Sequence, residues 1–126
     1  MKKKIEKTIT VNGKKVVIKK LVLGKYADML GCINEIPKIL GDIKDVNEDK
    51  VVEKLPQMIR LAFDELISML SIASGVSVKE LTQEYDLEDT TLLLKTILEV
   101  NSLDEIRKNV VGLLSLIQGK KKTIFG

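Results

Sequence analysis

Apolar and polar residues alternate near the start of the chain, and this pattern predicts a β-hairpin over about residues 4–21. Asn12-Gly13 would form its two-residue turn, because both central residues of such a turn need a positive φ and Asn followed by Gly adopts it at least cost. The resulting register pairs Val11 with Lys14. One side of the ribbon is then apolar (Ile5, Ile9, Val11, Val16 and Ile18), and the other is polar (Thr8, Thr10, Lys15 and Lys19).

The residues after the hairpin have helical spacing, with apolar positions at three- and four-residue steps from Gly24 to Leu40. Pro37 lacks a backbone N–H donor, so this helix either kinks there or stops and restarts with Pro37 in a first turn. Gly41 is expected to end it. Cys32 falls within this pattern and is expected to be a small buried residue in a reducing compartment.

The stretch from Val51 to Ala73 is apolar except for a narrow polar stripe, which predicts a central helix covered on most sides. It is either the middle of a small bundle or a helix that keeps part of its surface for a partner. Arg60 and Asp64 lie four residues apart on the stripe, a spacing that favours an ion pair. Pro56 allows an alternative in which the residues before it form a separate short piece.

Capping patterns divide the rest of the chain into helices. Ser77 and Glu80 open a short helix, Asp86 and Asp89 open the next, which runs from about residue 87 to 100, and a second Ser-x-x-Glu box at residues 102–105 opens the last. Gly119 ends that last helix. The prediction is a mainly α fold: a small helical bundle of four or five helices with an N-terminal β-hairpin. It forms a single domain, residues 1–119, followed by a flexible basic tail, residues 120–126.

The composition disfavours several function classes. Aromatic residues are only 3% of the chain, so stacking platforms for single-stranded nucleic acid are not expected. The net charge is +3, with lysines concentrated at both ends. A lysine-rich ribbon could meet phosphates, but lysines on an exposed strand also block aggregation between strand edges, and arginine is scarce. A nucleic-acid partner is therefore disfavoured.

The chain has no histidine, which removes the commonest general base and metal ligand. Asp45, Asn47 and Asp49 match the first ligands of a calcium loop, but Lys50 and Pro56 stand where that loop needs Gly and Glu. We therefore expect no enzyme activity and no catalytic, cofactor-binding or metal-binding residues. No apolar run reaches the ~20 residues that span a bilayer, and no signal peptide is apparent, so a cytoplasmic protein is expected.

Several segments carry a resemblance to a known family. The basic hairpin, the junction LVLGKYADML, the step Ile36-Pro37-Lys38-Ile39-Leu40 and the later ILEVNSLDEI resemble tail assembly chaperones of long-tailed (siphovirus-type) bacteriophages and prophages, over about residues 4–116. The resemblance implies a chaperone that binds the tape measure protein, a long helical apolar chain, and recruits subunits of the major tail (tube) protein. It also implies action in the cytoplasm of the bacterial host and absence from the mature virion.

Such a role needs an apolar surface that accepts amphipathic helices. The candidate partner-binding residues are those that the bundle needs least: Leu87, Leu92, Leu103, Leu116, Ile124 and Phe125. Self-association as rings or a helical array is also expected, through the hairpin edge and surplus apolar faces. In many such chaperones a slippery site near the gene's end gives a longer, frameshifted form, and the codons of Lys120, Lys121 and Lys122 could supply one.

Two alternatives remain open from the sequence. One is a small basic regulator that binds nucleic acid through its lysine ribbon, and the other is a structural component that stays in the finished phage tail. Binding to nucleic acid would weaken steeply as salt rises, whereas apolar contacts would persist.

Overall fold

The computed structural model describes residues 6–41 and 48–102, which form an N-terminal hairpin followed by helices. In these residues the elements are β1 (Glu6–Val11), β2 (Lys14–Lys19), α1 (Leu23–Leu30), α2 (Ile36–Leu40), α3 (Glu48–Glu53), α4 (Leu55–Leu61), α5 (Phe63–Ser74), α6 (Val78–Gln83) and α7 (Leu87–Asn101). The predicted mainly helical bundle with an N-terminal hairpin is confirmed. The predicted last helix, the basic tail and Ile5 lie outside the described residues.

The hairpin has the predicted turn and register. Asn12 and Gly13 have φ values of 53° and 77°, as a two-residue turn of this type requires. The antiparallel register pairs Val11 with Lys14 and continues to Glu6 and Lys19. Val11 and Ile18 are buried, so the apolar side of the ribbon is covered by the helices that follow.

The ribbon lies along α7, with β1 against α7 and β2 against both α5 and α7. Ion pairs flank the apolar contact: Lys7 Nζ lies 2.5 Å from Glu99 Oε2, near the end of α7. At the other end, Lys14 Nζ lies 3.8 Å from Glu84 Oε1, and the Asn12 side chain donates a 2.9 Å hydrogen bond to the Glu84 carbonyl. Both lysine side chains are largely exposed, so these pairs add little to the contact that the buried Val11 and Ile18 make with the bundle.

The prediction of one helix from Val51 to Ala73 was wrong, because the chain forms α3, α4 and α5 over this stretch. The first break is at Lys54, and Pro56 lies in the first turn of α4, as the alternative prediction had it. The second break is at Ala62, with φ −145° and ψ 42°. Ala62 is buried in the core and is neither Gly nor Pro, so this break coincides with core packing and not with a helix-breaking residue.

The first helical pattern is also interrupted. Helix α1 ends at Leu30, and α2 restarts with Pro37 in its first turn and Gly41 at its C-cap, so the restart prediction is confirmed. The expected position of Cys32 inside a helix was wrong. Cys32 lies in the turn between α1 and α2, where it is half-buried and its thiol donates to the Met29 carbonyl.

The ends of the later helices follow local chemistry. Gly75 ends α5 with φ 79°, in the left-handed region that glycine tolerates. The Ser77 hydroxyl accepts a hydrogen bond from the Glu80 N–H at the start of α6. Asp86 and Asp89 form a reciprocal capping box at the start of α7.

A single apolar cluster joins the ribbon to the helices. Its members are aliphatic side chains, as the low aromatic content predicts, and the most buried belong to β2, α4, α5 and α7: Ile18, Leu55, Leu66 and Leu93.

Candidate binding surface

Eight large apolar side chains in the described part of the chain are exposed, and they occur at four places. They are Val17 on the ribbon, Val22 and Leu23 at the start of α1, Leu61 and Phe63 between α4 and α5, and Val78, Leu87 and Leu92 on α6 and α7. Scattered apolar residues are normal on protein surfaces, so the informative places are those where neighbouring groups also suit a protein contact.

Two of the predicted partner-binding residues belong to α7. Leu87 is 57% exposed, immediately after the Asp86 cap, and Leu92 is 42% exposed. Both lie on a helix whose other apolar residues are buried, so they are surplus to the core that α7 helps to form. The remaining predicted residues, Leu103, Leu116, Ile124 and Phe125, lie outside the described residues.

The junction between α4 and α5 was not predicted and shows the most distinctive surface. Leu61 is 52% exposed and Phe63 is 43% exposed, on either side of the buried Ala62. Arg60 and Asp64 are exposed beside them. The ion pair expected between these two is not present among the described residues, because the break at Ala62 removes the continuous helix on which that spacing depends.

A carboxylate of α5 fixes the position of this junction. Glu65 Oε1 accepts backbone N–H hydrogen bonds from Asn34 at 2.5 Å, from Glu35 at 2.9 Å and from Ile36 at 3.2 Å. A residue two positions after Phe63 thereby caps the start of α2, and α2 also packs on α4. The turn between α1 and α2 is tied to the first turn of α5.

The pKa of Glu65 reflects this arrangement. Desolvation by burial acts to raise the pKa, but the three backbone N–H donors, together with the charge of Lys38, outweigh it and lower the pKa below the ordinary value of a glutamate. Hydrogen bonds to the ionised form produce this shift, so the carboxylate stays charged in its structural role.

The sequence did not predict Leu61 and Phe63 as surface residues, because their hydrophobic periodicity was interpreted as that of one continuous helix. The sequence nevertheless contains a pattern that indicates a second helix start. Asp64 and Glu65 occupy the first turn of α5, where acidic residues favour the positive end of the helix dipole, so the pair marks a new helix start at Phe63.

Three further properties of the described residues concern other kinds of site. These residues contain no group of three or more His, Cys, Asp or Glu side chains that could hold a metal ion. Burial, followed by the nearby charge of Glu65, raises the pKa of Cys32, so its thiol is a poor nucleophile. Among the described helices, none is long and apolar enough to cross a membrane.

Comparison of the chain with known protein families, with curated proteins and with solved structures finds no match.

Proposed function

We propose that this protein is a bacteriophage tail assembly chaperone that binds the tape measure protein and recruits tail tube subunits during assembly. The proposal rests on the resemblance of the hairpin, the LVLGKYADML and IPKIL segments and the ILEVNSLDEI segment to that family. The observation that supports it best is the exposed pair Leu61 and Phe63, held at a helix break beside Arg60.

The junction suits a long helical client for physical reasons. Phenylalanine and arginine are enriched where protein interfaces form, and Leu61 adds apolar area beside them. An amphipathic helix places apolar side chains at steps of three and four residues, so successive copies of the chaperone could each bind one such face along the tape measure protein. Leu87, on α7, is a second candidate contact.

Release during assembly requires contacts that are not too strong. A few exposed side chains on separate short helices give a small apolar area for each copy, and coverage of a long client would then depend on many weak contacts rather than on one tight one. The client would be kept soluble without being locked to the chaperone.

Co-expression tests the proposal. The long helical product of the neighbouring gene should become soluble and co-purify with the wild-type chain. The double variant Leu61→Lys/Phe63→Lys should lose co-purification. The control Val22→Lys/Leu23→Lys, a still more exposed apolar pair at the start of α1, should retain it. A client that stays insoluble with the wild-type chain would contradict the chaperone role, and equal behaviour of the two variants would contradict the assigned surface.

Salt separates this function from the nucleic-acid alternative, which the exposed Lys15 and Lys19 on the ribbon favour. Washing the co-purified complex with rising salt should leave apolar contacts intact, whereas binding to a nucleic acid should weaken steeply. Capture of nucleic acid at low salt only, with no protein client, would favour the alternative.

A further inference from the structure

We propose that the outer edge of β1 pairs with β1 of a second copy of this chain, giving a continuous four-stranded antiparallel sheet across a two-fold axis. This association of two copies does not depend on the proposed function.

The hairpin turn decides which backbone groups face outwards. In a two-residue hairpin the pair that flanks the turn, Val11 and Lys14, exchanges hydrogen bonds, and the pairs alternate from there. Moving away from the turn, Thr10 and Lys15 do not exchange hydrogen bonds, Ile9 and Val16 do, and Thr8 and Val17 do not. The N–H and C=O groups of Thr8 and Thr10 therefore point away from β2, and the sheet of the described residues has only these two strands.

The two edges of the ribbon differ in charge. On β2 the solvent side carries Lys15 and Lys19, a known device that prevents edges from pairing. On β1 the same side carries Glu6, Thr8 and Thr10, and the two threonines nearest the turn are exposed and uncharged. An antiparallel pair of β1 strands centred on Ile9 would set Thr8 opposite Thr10 of the other copy, and threonine pairs across strands are favourable. The half-buried Ile9 would meet its equivalent on the inner side.

Helix α7 adds a second contact below the sheet. Glu88, Leu92, Lys95 and Glu99 recur at steps of four, three and four, so they share one helix face. Glu99 of that face pairs with Lys7 on β1, which places the face on the side of the β1 edge. Ile9 lies two residues beyond Lys7 along β1, a distance of about 7 Å, which equals between about four and five residues of a helix. Counted from Glu99 towards the start of α7, the level of Ile9 therefore falls within about one turn of Leu92.

The distance expected between the two α7 helices agrees with this arrangement. Strands in a sheet are about 4.8 Å apart, so the middle of each ribbon would lie about 5 Å from the two-fold axis. Because α7 contacts both strands, it lies beneath the ribbon, and the two α7 helices would be about 10 Å apart, which is within the range of packed helices. In a two-fold dimer the same patch of both copies meets at the axis, so the exposed Leu92 of each copy would be covered by the other copy.

In this dimer Leu92 lies in the contact between copies, whereas Leu61, Phe63 and Leu87 remain exposed and can bind a client. Because Leu87 lies five residues before Leu92, it is rotated by about 140° around α7 and faces away from the second copy, so it remains exposed in the dimer. The variants that test the dimer are therefore different from those that test client binding.

Proline substitutions on the two edges test the pairing. Thr8→Pro removes an outward N–H from β1, and Val17→Pro removes the equivalent outward N–H from its partner position on β2, so neither removes a hydrogen bond inside the hairpin. Analytical ultracentrifugation over a wide concentration range should show a wild-type dimer. Thr8→Pro should weaken dimerisation by at least about tenfold, and Val17→Pro should not, because only the β1 edge forms the interface.

A second pair of variants covers the case in which a proline disturbs folding, which circular dichroism would reveal. Leu92→Asp should dissociate the dimer by placing two like charges near the axis, whereas Leu87→Asp, on the same helix, should not. A wild-type chain that is monomeric at every concentration overturns the proposal. So does a dimer that survives Leu92→Asp, or one that responds equally to Leu92→Asp and Leu87→Asp.

Discussion

The side-chain oxygen of Asn101 accepts a 2.6 Å hydrogen bond from the backbone N–H of Leu21. Asn101 is almost completely buried at the end of α7, and its side-chain nitrogen donates a 2.9 Å bond to the Ile97 carbonyl. One buried amide therefore joins the chain that leaves the hairpin to the last turn of the longest described helix. Its donor and its acceptor both have partners, as burial of a polar group requires.

Replacing this amide should be costly. Asn101→Ala leaves the Leu21 N–H without its acceptor, and we expect a loss of about 2 kcal/mol in the free energy of unfolding. Urea denaturation measures it. Asn34→Ala is the matched control, since only the backbone of Asn34 takes part in the hydrogen bonds seen here, and it should change stability by less than about 0.5 kcal/mol. Equal effects would show that Asn101 does not join the two elements.

The Glu65 cap should make stability depend on pH. Because the folded state lowers the pKa of Glu65, its contribution is fully present above the ordinary pKa of a glutamate and is lost as the pH falls through the lower folded value. Glu65→Gln should cost about 1–2 kcal/mol near neutral pH, since charge-assisted bonds to three N–H groups are lost. The variant and the wild type should converge in acid.

Asp64→Asn is the control for this experiment, because Asp64 is an exposed neighbour that does not bind the turn before α2. Its effect on stability should be smaller than that of Glu65→Gln at neutral pH, because Asp64 contributes only its charge near the start of α5. A constant difference between Glu65→Gln and the wild type across the acid range would show that the carboxylate charge is not what stabilises the turn.

Two glycines should respond oppositely to alanine. Gly13 has φ 77° in the hairpin turn, so Gly13→Ala should destabilise the protein by about 1 kcal/mol. Gly24 lies near the start of α1 without a positive φ, and a Cβ there would meet nothing within 4 Å. Gly24→Ala should therefore raise stability by up to about 0.5–1 kcal/mol. Thermal unfolding of both variants checks the signs, and destabilisation by Gly24→Ala would contradict the structure of α1.

Removing the hydroxyl of Tyr85 should not destabilise the protein. This hydroxyl is buried and finds no hydrogen-bond partner among the residues that the structure describes. Burial, followed by the charges of Glu80 and Asp89, raises the pKa of Tyr85. Tyr85→Phe should raise the free energy of unfolding by up to about 1 kcal/mol, because an unsatisfied polar group is removed. Tyr85→Leu should lower it, since the ring packs against the core. A loss in Tyr85→Phe would reveal a partner for the hydroxyl.

The sequence predicted the parts of this fold that depend on neighbours in the chain. The turn at Asn12, the register of the ribbon and the capping box at Asp86 each follow from a few adjacent residues, and each is confirmed. For the candidate surface, the sequence selected Leu87 and Leu92 as surplus apolar positions, and both are exposed. It did not find Leu61 and Phe63, since a periodic pattern does not show that one helix ends and the next begins at Ala62.

What the sequence alone determined is therefore the hairpin, the helical class, the end of α5 and the starts of α6 and α7, because backbone geometry and side-chain caps act over three or four residues. Only the tertiary structure decided the break at Ala62, the capping of α2 by Glu65 and the bond from Leu21 to Asn101. The cap joins residues about 30 positions apart in the chain, and the bond from Leu21 to Asn101 joins residues 80 positions apart. Such pairs are brought together by burial of the common core, and no local pattern records them.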